Sequence, residues 1–366
     1  MKKYFASAEF KRLNVKRAKS RLKQHLLSKE KQKVKRKNIW NIEALDNSKN
    51  KKKRQRIRVS KNIFLFKATA YAPEDFRLLE NVEGCLTFFR NIRSEEYLNQ
   101  IKGVKFVIMS LEKVTEIDYG TISILTAISD DLKYKGIILR GDFPKKAECK
   151  QFIIDSGFLN HMVNEKNQKF PKSKKSDLIF FEKGCGVLSF EDNKKISALV
   201  KDVVNHLTGE NKYSLSVKTI ILEICGNSIE WASTENKQWL LGVKYETERV
   251  FFTVTDVGKG ILETLYRKFT KRFFDTFKTD DEILKGAFNK KYGSSTKELN
   301  RNKGLPAVKT NFEQGTINNL RVLTNNVALQ FGDDSNSKTF GKGSPRFKGT
   351  FYQWEMTKEC LNKSIS

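Results

Sequence analysis

Histidine and cysteine are scarce in this chain of 366 residues, and neither is clustered. His25, His161 and His206 are scattered, and Cys85, Cys149, Cys185, Cys225 and Cys360 include no C-x-x-C pair. A structural zinc site needs ligands in close pairs, and a disulfide framework needs a dense cysteine pattern, so neither is expected. Isolated reduced thiols, mostly in cores, are the expectation. Long apolar runs are missing as well. None approaches the roughly 18 residues that span a bilayer, and the basic start Met1-Lys-Lys-Tyr-Phe is not followed by the apolar stretch of a signal peptide. The chain is therefore read as cytoplasmic, with no membrane span. Acidic residues are few: 42 stand against 70 Lys and Arg, a net charge of +28.

That charge is uneven. Residues 1–60 hold 22 basic and four acidic side chains, a net of +18, and the other 306 residues carry only +10. The first 60 residues read as a basic arm, helical over Tyr4 to Lys37 and a solvated linker over Asn47 to Arg58, where no apolar face exists. Such an arm is drawn to polyanions, nucleic acid among them, or serves as a solubilising tail; both readings stand open. With little aromatic interleaving, base stacking is not indicated.

Residues 61–170 read as a small α/β domain. Ile63-Phe-Leu-Phe-Lys-Ala and Val104 to Leu111 are strand-like, and Ala72-Pro-Glu-Asp-Phe opens a further element. Asp118-Tyr-Gly-Thr reads as a turn, Thr121 to Leu132 as an amphipathic helix, Gly136 to Gly141 as a strand, and Ala147 to Ser156 as a helix. Strand, helix and strand at this spacing make a βαβ unit with a parallel pair. The order of a strand, Val114-Thr-Glu-Ile-Asp-Tyr-Gly-Thr121, a helix, a short strand and Asp155-Ser-Gly-Phe-Leu159 resembles a STAS domain over about 60 residues. The resemblance implies a protein partner. Antagonists of that family carry a phosphorylated serine where this chain has Tyr119. Thr121 is the nearest substitute, although threonine at a helix start usually acts as a cap.

Residues 171–178 are a polar linker, and 179–366 form a last domain. Val217 to Ala232 reads as a helix on which Glu223, Asn227 and Glu230 share one face. Two carboxylates and an amide in a row either supply oxygens to a hard cation or form a solvated polar stripe. Trp239 to Tyr245 and Arg249 to Thr255 read as strands joined by a hairpin at Glu246-Thr-Glu-Arg249. The second strand runs into Asp256-Val-Gly-Lys-Gly-Ile261, whose Gly258 and Gly260 permit positive φ and close approach to the backbone.

An E-x-x-x-N helix, a strand pair and a D-x-G-x-G turn together resemble the GHKL ATPases, which include gyrase, Hsp90-type chaperones, histidine kinases and anti-sigma serine kinases. The resemblance covers roughly 190 residues and implies an α/β sandwich, a mixed sheet with helices on one face. It implies ATP and Mg²⁺ as ligands, Glu223 as the catalytic base, Asn227 as the magnesium contact, and Glu230 as a further polar contact. Asp256 would meet the adenine amino group, with Gly258, Gly260 and Ile261 shaping the pocket. Ser294-Ser-Thr296 and Asn302-Lys-Gly-Leu305 match an ATP lid, with Ser295, Thr296, Lys303, Gly304 and Leu305 as candidate contacts. Gly349-Thr350 matches the closing strand.

The expected function is a regulatory ATPase, or a serine/threonine protein kinase of the anti-sigma type, with a fused STAS-like module. The alternatives are an ATP-gated nucleic-acid clamp, in which nucleotide dimerises or rearranges the chain, and a nucleotide-binding scaffold without turnover. His206 lies inside the last domain and reads as packing or a helix end rather than as a phosphoacceptor.

Overall fold

A computed structural model describes residues 69–101, 103–162, 168–171, 179–185, 188–231, 238–268, 279–289, 304–341 and 343–365. Apart from Gln168 and Lys169 these belong to one compact unit that spans both expected domains. The basic arm, the strand expected at Ile63, and most of the linker at 171–178 lie outside the described residues. Among the described residues no helix is long and apolar enough to cross a membrane.

The first segment is built on β4 (Val104–Ser110). It pairs in parallel with β6 (Ile137–Gly141) on one side. On the other side lie β1 (Ala70–Tyr71), parallel, and β3 (Leu98–Ile101), antiparallel. Helix α1 (Val82–Ile92) starts at Asn81, whose side chain accepts from the Gly84 N–H. Asp75–Phe76 (β2) pairs with Glu116–Ile117 (β5). The βαβ unit forms as expected, from β4 through α2 (Tyr119–Tyr134) to β6, and α3 (Ala147–Asp155) follows.

Two expectations for α2 need correction. Its cap is Asp118 rather than Thr121: Asp118 Oδ1 accepts from the Thr121 N–H at 2.7 Å and Oδ2 from the Leu78 N–H at 2.9 Å. A carboxylate at this position satisfies amide groups that the first turn leaves without intrahelical partners. Nor is α2 amphipathic in the ordinary sense, because every residue from Tyr119 to Leu132 is buried. The face that carries Ser123 is covered by a second sheet.

That sheet has seven strands in the order β12–β11–β10–β13–β9–β8–β7, where β7 is Ile179–Cys185, β8 Gln238–Glu246, β9 Arg249–Asp256, β10 Asn318–Asn325, β11 Val327–Gln330, β12 Lys338–Thr339 and β13 Phe347–Thr357. It was expected to be mixed, yet every pairing is antiparallel. The excursion from β9 to β10 is a crossover that brings the chain back in the same direction. The last strand, β13, inserts between the two and pairs antiparallel with both. The hairpin expected at Glu246 to Arg249 is present.

Alternation along these strands sends side chains to two cores. Val250, Phe252, Val254, Tyr352 and Trp354 pack under α4 (Phe190–Thr208) and α5 (Leu215–Trp231) with Val200, Val203, Ile220 and Ile224. Phe252 and Trp354 stack there with ring centroids 5.1 Å apart. From the opposite face Leu240, Leu323, Phe347 and Phe351 join the core of the first segment with Ile124, Leu125 and Ile128 of α2. Helices therefore cover both faces of the sheet, not one.

Helix α4 opens with a capping box between Ser189 and Asp192 and ends at Gly209 with φ 75°. His206 lies in its last turn, with Nε2 2.8 Å from the Glu246 carbonyl and its ring edge-on to Tyr245, so it is a helix-end contact. Cys85, Cys149, Cys225 and Cys360 are free and buried.

Candidate functional site

A pocket opens on the face of the sheet that α5 covers, where β9 ends and β13 begins. Its empty volume is about 610 Å³, counting the open mouth, and it is lined by Asn227, Ser228, Asp256, Gly260, Ile261, Thr264, Leu265, Leu305, Thr350 and Tyr352. Of the residues singled out in the sequence it brings together Asn227, Asp256, Gly260, Ile261, Leu305 and Thr350. Gly304, the first residue of the helix Gly304–Glu313, stands against Asn227: a Cβ there would be 2.8 Å from both Nδ2 and Oδ1. A larger residue there would displace the amide.

Asp256 is the electrostatic centre. It is only 4% exposed. Its Oδ1 accepts from the Gly258 N–H at 3.0 Å and its Oδ2 from the Ser228 hydroxyl at 3.4 Å. Burial pushes its carboxyl up to about 6, against the pull of hydrogen bonds from Gly258, Thr350 and Ser228. Desolvation disfavours the charged form, and these donors recover only part of that cost. Tyr352 lies beside it, and burial followed by the Asp256 charge pushes its phenol up.

The turn after Asp256 is fixed from the neighbouring strand. Ile261 N–H donates to Thr324 Oγ1 at 2.9 Å, and Leu262 N–H donates to Asn325 Oδ1 at 3.0 Å. Asn325 Nδ2 donates to the Lys259 carbonyl at 2.8 Å. These bonds cap α6 (Ile261–Lys268), which carries Thr264 and Leu265 to the pocket. Gly260 has φ 83°, and a Cβ there would lie 2.7 Å from Thr324 Oγ1. Its freedom thus serves the approach of Thr324 and Asn325. Gly349, with φ 145°, lets β13 cross directly over the Asp256 carbonyl.

Asn227 supplies a different signal. Its Nδ2 is buried and has no hydrogen-bond partner. Buried donors are almost always paired, so an orphan that faces a pocket is a place where a ligand can accept a hydrogen bond. Glu223 lies one turn earlier on α5, half-buried and outside the pocket lining. Glu230 is in the last turn of the same helix, and Gly258 is in the turn but outside the lining. Ser295, Thr296 and Lys303, with Ser294, lie outside the described residues.

Sequence reasoning missed Ser228, Thr264, Leu265 and Tyr352. Thr264 and Leu265 stand three and four residues after Ile261, the helical repeat that could have found them. Tyr352 is two residues from Thr350, on the same face of the strand. Ser228 is adjacent to Asn227 in sequence and had no signal of its own. The lining thus combines one buried acceptor, one orphan donor, four hydroxyls and apolar walls of Ile261, Leu265, Leu305 and the Tyr352 ring. Such a site suits a flat, partly apolar molecule with a hydrogen-bond donor on its edge. Among the described residues no lysine or arginine lines it, and no group of three or more histidine, cysteine, aspartate or glutamate side chains could hold a metal by itself.

No protein-family model matches the chain, and no curated protein matches it.

Proposed function

We propose that the chain binds ATP with Mg²⁺ in this pocket and acts as a regulatory ATPase or serine/threonine protein kinase of the GHKL type, joined to a STAS-like module. The observation that carries the reading is Asp256, a buried carboxylate on a pocket with apolar walls. Ionised, it accepts a hydrogen bond from an amino group such as that of adenine and repels the carbonyl that guanine has at the same position. Ile261, Leu265 and Leu305 can sandwich a ring, and Thr350 and Ser228 hold the carboxylate in place.

The residues present also fit a magnesium ion carried in on a nucleotide. Asn227 lines the pocket; its amide oxygen is the kind of ligand that Mg²⁺ takes, and its unpartnered Nδ2 is a donor for a phosphate oxygen. Bound there, the ion would neutralise phosphate charge. Glu223, one turn away on the same helix face, is the candidate base for a water or hydroxyl nucleophile.

The βαβ unit β4–α2–β6 supports the STAS-like reading of the first segment. Tyr119, at the acceptor position, is only 7% exposed, and Thr121 is fully buried. Neither is presented to a kinase. We therefore assign the module a binding role and place any phosphoacceptor on a separate protein. Incubation with γ-labelled ATP, following free phosphate and labelled protein together, tests this. Release of phosphate, or transfer to an added partner, is expected. Label on residues 118–121 of this chain would contradict the assignment.

A further inference from the structure

The first segment reaches the rear of the pocket through a side chain that the proposed activity does not use. Arg93 follows the last residue of α1 and is half-buried. Its Nη1 donates to the Lys348 carbonyl at 2.7 Å and its Nη2 to the Val257 carbonyl at 2.8 Å. Val257 directly follows Asp256, and Lys348 precedes Gly349-Thr350. Asp256 and Thr350 face each other in the β9–β13 ladder. One planar guanidinium therefore spans the two backbone segments that carry the pocket's acceptor and its threonine. The rigid fork of arginine fixes the distance between two acceptors, which the single ammonium of lysine does not.

A second contact grips the same strand. Ser123 Oγ of α2 lies 3.0 Å from Thr253 Oγ1 and 2.9 Å from Thr255 Oγ1, all of them buried. Strand β9 is thus held from behind at 253 and 255, and its extension at 257, while Asp256 points the other way into the pocket. A displacement of the first segment moves the wall of the site.

We propose that Arg93 is a positioning residue that holds the Asp256 turn against Gly349-Thr350 at the spacing the ligand requires, so that pocket occupancy and seating of the first segment are coupled. The ligand's identity rests on the ATP reading above; the positioning role does not. Coupling of this kind is reciprocal: whatever loosens the first segment at Arg93 weakens binding, and binding tightens the segment.

The test uses the full chain with Arg93→Gln and Arg93→Lys, and two readouts. The first is amide hydrogen exchange without nucleotide over residues 256–262 and 347–352. The second is the affinity of a fluorescent ATP analogue with Mg²⁺. Arg93→Gln is expected to speed exchange in those two stretches by about ten-fold, the loss of roughly one charge-assisted hydrogen bond, and to weaken binding by about the same factor. Exchange in the cores of α4 and α5 stays as in the parent. Arg93→Lys keeps the charge and stem, loses the fork, and is expected to fall between the two; it supplies the same readouts if the glutamine variant does not fold. Ile153→Ala, in the core of the first segment on a different helix from Arg93, is the control for general loosening. Unchanged exchange in both Arg93 variants, or equal effects from Ile153→Ala at the same loss of melting temperature, overturns the proposal. If the exchange result holds while the parent takes up no analogue, the ATP reading falls and the positioning role stands.

Discussion

Replacing Asp256 by asparagine is expected to make the folded chain more stable at neutral pH, although the side chain lies at the centre of the site. Its carboxyl is displaced by burial from an ordinary 3.8 to about 6. A group raised in this way binds its proton more tightly when folded than when unfolded. Stability from this group is therefore greatest below about pH 4, falls as pH rises towards 6, and stays low above that. Converted at 1.36 kcal/mol per tenfold change in proton affinity, the ionised carboxylate costs about 3 kcal/mol at pH 8. Asparagine keeps the acceptor for the Gly258 N–H, and its amide can donate to Ser228 Oγ, so about 1–3 kcal/mol of that cost is recovered. Urea unfolding of parent and variant between pH 4 and 8, followed by circular dichroism, isolates the effect as a difference. The variant's advantage is expected to grow between pH 4 and 6 and then level off. A variant that loses stability equally at pH 5 and pH 8 would refute the argument, because the carboxylate would then be a structural group rather than a strained one.

Two further substitutions test the walls of the site. Gly349→Ala puts a Cβ well inside contact distance of the Asp256 carbonyl oxygen and 3.0 Å from Val257 Cα, at φ 145°; a loss of about 3 kcal/mol or more in urea unfolding is expected from clash and strain together. Asn325→Ala removes the bonds to Leu262 N–H and the Lys259 carbonyl and leaves alanine at φ 54°; a loss of about 2 kcal/mol, read from the urea midpoint at unchanged slope, is expected together with weaker nucleotide binding.

Much of the fold was legible because its signals are local. The strand at Val104, the parallel partner at Ile137, the hairpin at Glu246 and the helix from Val217 follow from periodicity and turn residues, and all are present. What escaped is long-range. Nothing in the residues of β13 says that it inserts between β9 and β10, and that insertion makes the sheet antiparallel throughout. Thr121 to Leu132 read as an amphipathic helix, whereas all of it is buried and Ser123 meets hydroxyls on another sheet. The pocket was half legible. Asn227, Asp256 and Gly260 lie in motifs, but Ser228 and Tyr352 reach the cavity only through the packing of α5 on the sheet. Gly260 was read as making room for a ligand, and the atoms nearest that room are side-chain atoms of Thr324 and Asn325.

The central claim is that this pocket takes ATP with Asp256 as its acceptor. Titration of the full chain with Mg-ATP in a calorimeter tests it most directly. The account predicts a saturable heat with one site per chain, lost in Asp256→Ala and much weaker with GTP. A flat trace from the folded parent, or equal binding by Asp256→Ala, would contradict it.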